Sequence, residues 1–460
     1  MRDGQEIPGG GGGGVSGGGG IKRKYNYDKS PQATFSPASY SPTILTPSAK
    51  YISRTNAGTI VFRYNDDETE RNWKCENGFT AKIKNMVENS IYYYMHNSLT
   101  DYLDYWNDNI EKIGKLIIGK YSLEEEMPMN HRGVTPFILV GRIACDGEGR
   151  LKSKNILLEG TSDNASGTSV DLDLSVLPKY SIFPGQVVAA EVYSLTKERL
   201  VVKQLYTDTN LNFFKPYELT KGGGGGGGPL SVMVASGPYT PSDSMTYQPL
   251  LDLMKEVVNV EPHALILTGP FIESDHPVFS ENMLAETMED FLEKIMEKIM
   301  KPIERLKTQV IIINSYKELT SPMVFPTPEM ILKCTKSYPK LHLFPDPCLF
   351  SLDDVVFGVT STDDGGRLSR LAKHILHQKS FYPLAPAKDV PLDPTLMDHV
   401  KLDVAPHILI LPSDLRYFIQ KVENCTVVVN PERLAKGLIG GTYARLIINK
   451  NDVIGNIVKI

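Results

Sequence analysis

No divalent-metal hydrolase signature is present in this 460-residue chain. Two-metal phosphoesterase chemistry needs His, Asp and Asn placed so that two ions about 4 Å apart activate a water. In sequence this reads as Asp-x-His, Gly-Asp, Gly-Asn-His and His-x-His, and none of the four occurs. Outside the glycine tracts, the nucleophile elbow GxSxG, the phosphate-cradling GxxxxGK[ST] and a dinucleotide-binding GxGxxG after a strand are missing as well. No apolar run approaches the roughly 18 residues of a membrane span, and the start lacks the apolar core of a signal peptide.

Cysteine is scarce: Cys75, Cys145, Cys334, Cys348 and Cys425 are scattered, odd in number and without a CxxC. That usage predicts isolated thiols in a reducing, intracellular compartment rather than a disulfide or zinc framework. A formal charge of −5 opposes nucleic-acid binding by bulk phosphate neutralisation, though it leaves room for a local basic patch. With 41% hydrophobic and 22% charged residues, the composition is that of a soluble globular protein with two or three cores.

What is present divides into five regions. Residues 1–50 read as a disordered Gly/Ser/Pro-rich linker that cannot repay its ordering entropy. Its glycine runs, like the tract at 222–228, read as spacers and carry no function. Four Ser/Thr-Pro pairs fall within seventeen residues, at Ser30, Ser36, Ser41 and Thr46. Proline holds the preceding residue extended, the geometry a proline-directed kinase takes, and each phosphate would add about −1.5 to −2 charges. The plainer reading is ordinary linker composition.

Residues 51–130 form an extended and helical lead-in. A helix is expected from about 79 to 120, with Ile83, Met86, Val87, Ile91 and Tyr94 and then Leu99, Leu103 and Trp106 as its apolar face. Its tyrosines serve packing, because no Lys or Arg interleaves them for base stacking. Residues 131–221 carry about five short strands with turns between them, the pattern of an oligonucleotide/oligosaccharide-binding (OB) barrel. Acidic Asp171, Asp173 and Glu191 on its strands favour a protein partner over a nucleic acid.

Residues 229–460 alternate strands and helices in an α/β domain. The carboxyl ends of its strands, where ligands usually sit, read Ser236-Gly237-Pro238, Thr268-Gly269-Pro270, Asn314-Ser315-Tyr316 and Pro412-Ser413-Asp414. Asn314 and Asp414 are lone oxygens, too few for a metal pair. His374 and His377 share a helix face, but HxxH without a partner motif reads as packing. Gly440-Gly441-Thr442 reads as a tight turn.

Several long segments closely resemble the B (accessory) subunits of replicative DNA polymerases, in particular the branch serving polymerase α–primase. They include Gly237-Pro238-Tyr239-Thr240-Pro241-Ser242-Asp243-Ser244, Leu267-Thr268-Gly269-Pro270-Phe271 and Gly358-Val359-Thr360-Ser361-Thr362-Asp363. Others are Ser380-Phe381-Tyr382-Pro383-Leu384, Leu411-Pro412-Ser413-Asp414-Leu415-Arg416-Tyr417-Phe418 and Val429-Asn430-Pro431-Glu432-Arg433-Leu434. Thr46–Arg54 and Phe183-Pro184-Gly185-Gln186 match as well, so the likeness covers roughly residues 46–448.

The resemblance implies an α/β plus all-β fold: an inactive calcineurin-like phosphoesterase sandwich with an OB-fold barrel, preceded by the linker and short helices. It implies a nuclear, non-enzymatic scaffold subunit without cofactor or metal. The expected partners are the C-terminal domain of the polymerase catalytic subunit, the primase subunits through the complex, and telomere-associated proteins. DNA contact is expected to be indirect or weak. In the α branch the linker is a phosphorylation target, so Ser30, Ser36, Ser41 and Thr46 are candidate sites. Arg416, Tyr417 and Phe418 are candidate interface anchors, with ordinary packing as their competing role. The chain departs from the family in its glycine tracts, in a short segment around Gly365-Gly366, and in having no counterpart of the helical recruitment domain before the linker. The alternatives are a single-stranded nucleic-acid-binding OB module and a metal-dependent phosphodiesterase with relocated ligands.

Overall fold

A computed structural model of the chain describes residues 46–67, 71–74, 79–86, 93–147, 151–152, 155–165, 168–194, 199–214, 228–280, 286–362, 368–385, 390–423, 425–449 and 452–460. Ser30, Ser36 and Ser41 lie outside them.

The helix expected from residue 79 is shorter. It runs Leu99–Tyr121, started by a capping box in which Ser98 and Asp101 bond each other's backbone N–H, and stopped by Ser122 in the left-handed region. Upstream, Ile83–Asn85 is a strand paired antiparallel with Cys348–Leu352. Ladder bonds to a sheet edge outweigh the local three-four periodicity there, and the helix begins only where a cap is available. Val87 and Ile91 lie outside the described residues. Leu99 and Leu103 are exposed rather than core. The buried face is Ile110, Ile113, Gly114 and Ile117, and Trp106 is half-buried beneath the Arg142 guanidinium, 4.5 Å from the ring centre.

The five barrel strands are Phe137–Cys145, Ile156–Glu159, Ser169–Asp173, Val187–Ser194 and Arg199–Tyr206, closed in the order first, second, third, fifth, fourth. Leu139, Ile143, Leu158, Val188, Ala190 and Val202 fill its interior, while Asp171 and Asp173 alternate outward, half-buried. At Gly141 a Cβ would meet Glu159 O at 2.5 Å and Met129 Cε at 2.8 Å, so only glycine lets the first two strands close here.

Beyond the barrel, two sheets pack face to face. The larger has the order Ile60–Tyr64, Asp452–Lys459, Thr442–Asn449, Leu230–Ser236, Ala264–Thr268, Gln309–Ile313, Leu341–Phe344. Its last four strands are mutually parallel. The smaller has the order Phe418–Val422, Thr426–Asn430, Ile408–Ile410, Val355–Val359, Cys348–Leu352, Ile83–Asn85. Between them lies one core, with Ile266 and Ile311 meeting residues such as Phe357 and Ile410.

Helices Gln248–Val260 and Met288–Ile303 cover the outer face of the larger sheet. Helix Leu368–His377 and the 3-10 turn Pro394–Val400 cover the smaller one. Strands covered on both faces must be apolar at every position, which explains the continuous runs in the sequence rather than alternation.

The barrel is fastened to this sandwich by polar bonds. The Gln378 side chain accepts from Val187 N at 2.8 Å and donates to Val187 O at 3.1 Å. Gly185 of the Phe183–Gln186 turn has φ +98°, and a Cβ there would lie 2.3 Å from Ala385 N. Gly185→Ala is expected to cost about 1–3 kcal/mol from backbone strain alone, with the clash added to it. Urea unfolding followed by circular dichroism measures it; an unchanged midpoint would show that the turn can move away from Ala385.

A candidate functional site at the strand ends

All the parallel strands deliver their carboxyl ends to one side, as the sequence suggested, and each end is tied to its neighbour. Tyr239, wholly buried after the strand Leu230–Ser236, donates its hydroxyl to Thr268 O at 2.9 Å and Ala235 O at 3.2 Å. The two Gly-Pro turns stand back to back: a Cβ on Gly237 would lie 1.9 Å from Pro270 O. No side chain fits there, so the turns close on each other and leave no ligand cradle.

Glu318, in the loop after Gln309–Ile313, accepts from the backbone N–H of Phe271 at 2.6 Å and of Ile272 at 3.2 Å. Burial outweighs those bonds and pushes its carboxyl up to about 7. Asn314 donates to Ser321 Oγ and to Pro328 O and accepts from Ser315 N, which commits it to loop structure.

Two buried charged side chains help join one sheet to the other. Asp346, after the strand Leu341–Phe344, accepts from Ser361 N at 2.9 Å and Ser361 Oγ at 2.5 Å, beyond the strand Val355–Val359. Burial is the main cause that raises its carboxyl to about 6. Arg433, beyond Thr426–Asn430, donates from Nη1 to Ser236 Oγ at 3.0 Å and from Nε to Asp414 Oδ1 at 3.0 Å. Its guanidinium is 7% exposed, whereas the Asp414 carboxylate is 73% exposed. A buried cation therefore links the strand ends of the two sheets. Among the described residues, no group of three or more His, Cys, Asp or Glu is placed to hold a metal ion.

Beside the exposed Asp414 carboxylate, the surface around the strand ends carries apolar and basic groups. The hairpin Ala435–Lys436/Ile439–Gly440 projects Leu438 and Ile439 outward. Its Lys436 pairs with Glu432 and reaches Asp414 O at 3.1 Å, next to exposed Leu415. Of the three expected anchors, Arg416 is exposed, with its guanidinium 5.5 Å from the Tyr417 ring centre. Tyr417 is half-buried against the core between the sheets, and Phe418 against the core under helix Leu368–His377. Thr46 is exposed, and its carbonyl accepts from Ser244 Oγ at 2.8 Å.

His374 and His377 mark the barrel–sandwich junction. His377 Nδ1 accepts from Thr209 N at 3.1 Å, and His374 Nε2 lies 3.3 Å from Ser181 Oγ. Sequence reasoning assigned no role to Glu318, Asp346 or Arg433. Their signal was a charged residue within a few positions of a largely apolar strand, where only an internal partner makes a buried charge tolerable.

The comparisons match this architecture in both parts. The family model for the OB domain of the DNA polymerase alpha B subunit matches residues 104–208, and that for the B subunits of DNA polymerases alpha and epsilon matches 232–420. The chain is 34% identical over 446 residues to the B subunit of DNA polymerase alpha from Rattus norvegicus, covering 92% of this chain and 73% of the relative. It belongs to the family of DNA polymerase alpha B subunits. Other members are the Drosophila melanogaster protein, at 36% identity over 67% of this chain and 52% of the relative, and that of Schizosaccharomyces pombe, at 32% over 78% and 68%. The first model spans the closed barrel together with most of helix Leu99–Tyr121, so the OB expectation holds. Membership in this family makes the chain a replicative polymerase accessory subunit.

Arg433→Ala leaves Ser236 Oγ buried without its cationic partner and is expected to cost about 1–3 kcal/mol. Asp414→Ala leaves the buried guanidinium its bonds to Ser236 and Gly237 and removes a largely solvent-screened carboxylate, so it should cost less than Arg433→Ala. Chemical denaturation of the two variants tests the ranking, and equal losses would contradict it.

Glu318 has a folded pKa near 7, above its ordinary 4.5. The folded state therefore binds more protons than the unfolded state across that window. The stabilising contribution is complete below the unfolded value and is lost as pH rises toward 7. Glu318→Gln should flatten the fall in stability between about pH 5 and 8 seen in denaturation midpoints; an unchanged slope would assign it to other groups.

Proposed function

We propose that the chain is a non-catalytic scaffold subunit of the polymerase α–primase assembly, acting in the nucleus and binding the C-terminal domain of the polymerase catalytic subunit. The observation that carries this is the state of the strand ends. The helix–sheet–sheet–helix layering fits a calcineurin-like phosphoesterase fold, and its usual chemical position is spanned by Arg433, Glu318 and Asp346 bonding to other loops. Residues spent on holding loops together are not available to bind a substrate. The exposed Leu415, Leu438 and Ile439 beside Arg416 offer what a permanent partner uses: apolar area with an Arg anchor. A permanent interface of this kind buries on the order of 2,000 Å² or more.

In this reading Arg416 and Tyr417 are interface anchors, Phe418 supports them from the core, and primase is reached through the shared complex. Telomere-associated proteins belong to the same set of indirect partners. Ser30, Ser36, Ser41 and Thr46 are regulatory phosphorylation sites in this reading, with Thr46 at the described surface.

Co-expression of the full chain with the C-terminal domain of a polymerase α catalytic subunit, followed by size-exclusion chromatography, is the direct test. A stoichiometric complex is expected, weakened about tenfold or more by Arg416→Glu with Leu438→Asp, the loss of one hot spot. A chain that stays monomeric beside that domain sinks the scaffold reading. A complex indifferent to the double variant moves the interface elsewhere.

A further inference from the structure

The barrel's strands carry charges of both signs, with Arg142 paired to Glu159 and Lys203 to Glu191, whereas the described lining of its junction with helix Leu368–His377 carries only positive ones. A cleft of about 190 Å³ opens there over an aliphatic floor that includes Ile156 and Ile182, and its walls carry Lys152, Tyr180, Ser181 and Arg370. Among the described residues its lining holds two cations and no acid, in a chain whose formal charge is −5. Neither Lys152 nor Arg370 makes an ion pair with another described residue, whereas nearby Lys373 is already held by Asp208 and Glu423, each at 3.3 Å.

We propose that this cleft takes the sugar-phosphate backbone of a single-stranded nucleic acid, with Lys152 and Arg370 on phosphates and Tyr180 stacked on a base. Tyr180 is 43% exposed and lines the cleft beside the two cations. An aromatic alternating with basic groups is how proteins hold single strands without reading sequence. Enclosed small-molecule sites run to about 300 Å³ or more, so this cleft grips a passing strand rather than engulfing a free nucleotide. Ser181 Oγ, 3.3 Å from His374 Nε2, adds a hydrogen-bonding group at the cleft wall. Burial is the larger cause and Arg370 the next that hold His374 down to about 4, so it stays neutral and leaves the cleft's charge to Lys152 and Arg370. An acidic peptide would satisfy the cations but leave Tyr180 without a stacking partner.

Because the cleft engages only a pair of cations, the contact is short and salt-sensitive. Fluorescence anisotropy of labelled oligothymidylate of about twenty nucleotides, titrated with the full chain at roughly 50 and 200 mM salt, measures it. Lys152→Glu with Arg370→Glu should weaken binding about tenfold or more and make the salt slope shallower by about 1.4, the share of two phosphates on a single strand. Tyr180→Ala should lower affinity by a similar factor at both salts and leave the slope alone. Lys152→Gln with Arg370→Gln, checked for an unchanged melting curve, keeps the test independent of folding and should act in the same direction. Wild-type protein that does not bind at low salt overturns the proposal, as does binding insensitive to the charge variants. Tighter binding of an acidic phosphopeptide than of oligothymidylate overturns the choice of nucleic acid.

Discussion

Burying both faces of two stacked sheets is the constraint from which the rest of this structure follows. Strands such as Ala264–Thr268 and Gln309–Ile313 meet the partner sheet on one side and helices on the other, so their side chains are buried along their whole length. Nothing along such a strand can bind or react. Polar function is left to the strand ends, the sheet edges and whatever is appended.

At the strand ends the same constraint acts again. Loops that leave a dry core carry backbone donors and acceptors that must find partners. Here those partners are internal: Glu318 takes the Phe271 and Ile272 amides, and Asn430 takes those of Ser413 and Glu432. Arg433 and Asp346 extend the same bonding from one sheet to the other. A two-metal enzyme needs its carboxylates and imidazoles unspent until the ions arrive. In this chain the buried carboxylates of Glu318 and Asp346 are spent on loop hydrogen bonds, and the exposed surroundings include Leu415, Leu438 and Ile439.

The barrel is held to the sandwich by a few specific bonds, chiefly Gln378 to Val187 and His377 to Thr209, and by the Gly185 turn against Ala385. Docking a closed barrel against a helix creates a junction that neither part has alone. Lys152 and Tyr180 come from the barrel and Arg370 from the helix, which is why their common cleft carries a charge opposite to that of the whole chain.

The layering was written in the local pattern of the chain. Apolar runs bounded by Gly-Pro and Asn-Ser turns suit strands buried on both faces, and the alternation at Val170, Asp171 and Leu172 suits a strand with one wet face. The missing metal motifs and the long family segments were equally legible, because they are local. The helix start was not: Ile83 has helical spacing with its neighbours, yet a sheet edge far along the chain supplies ladder bonds that no local pattern shows. It took the folded arrangement to bring Arg433 to Ser236, nearly two hundred positions away, and to gather Lys152, Tyr180 and Arg370 in one cleft. Such charges and rings have no preferred spacing. Which of them face each other is set by how the buried layers stack, and that is a property of the fold as a whole.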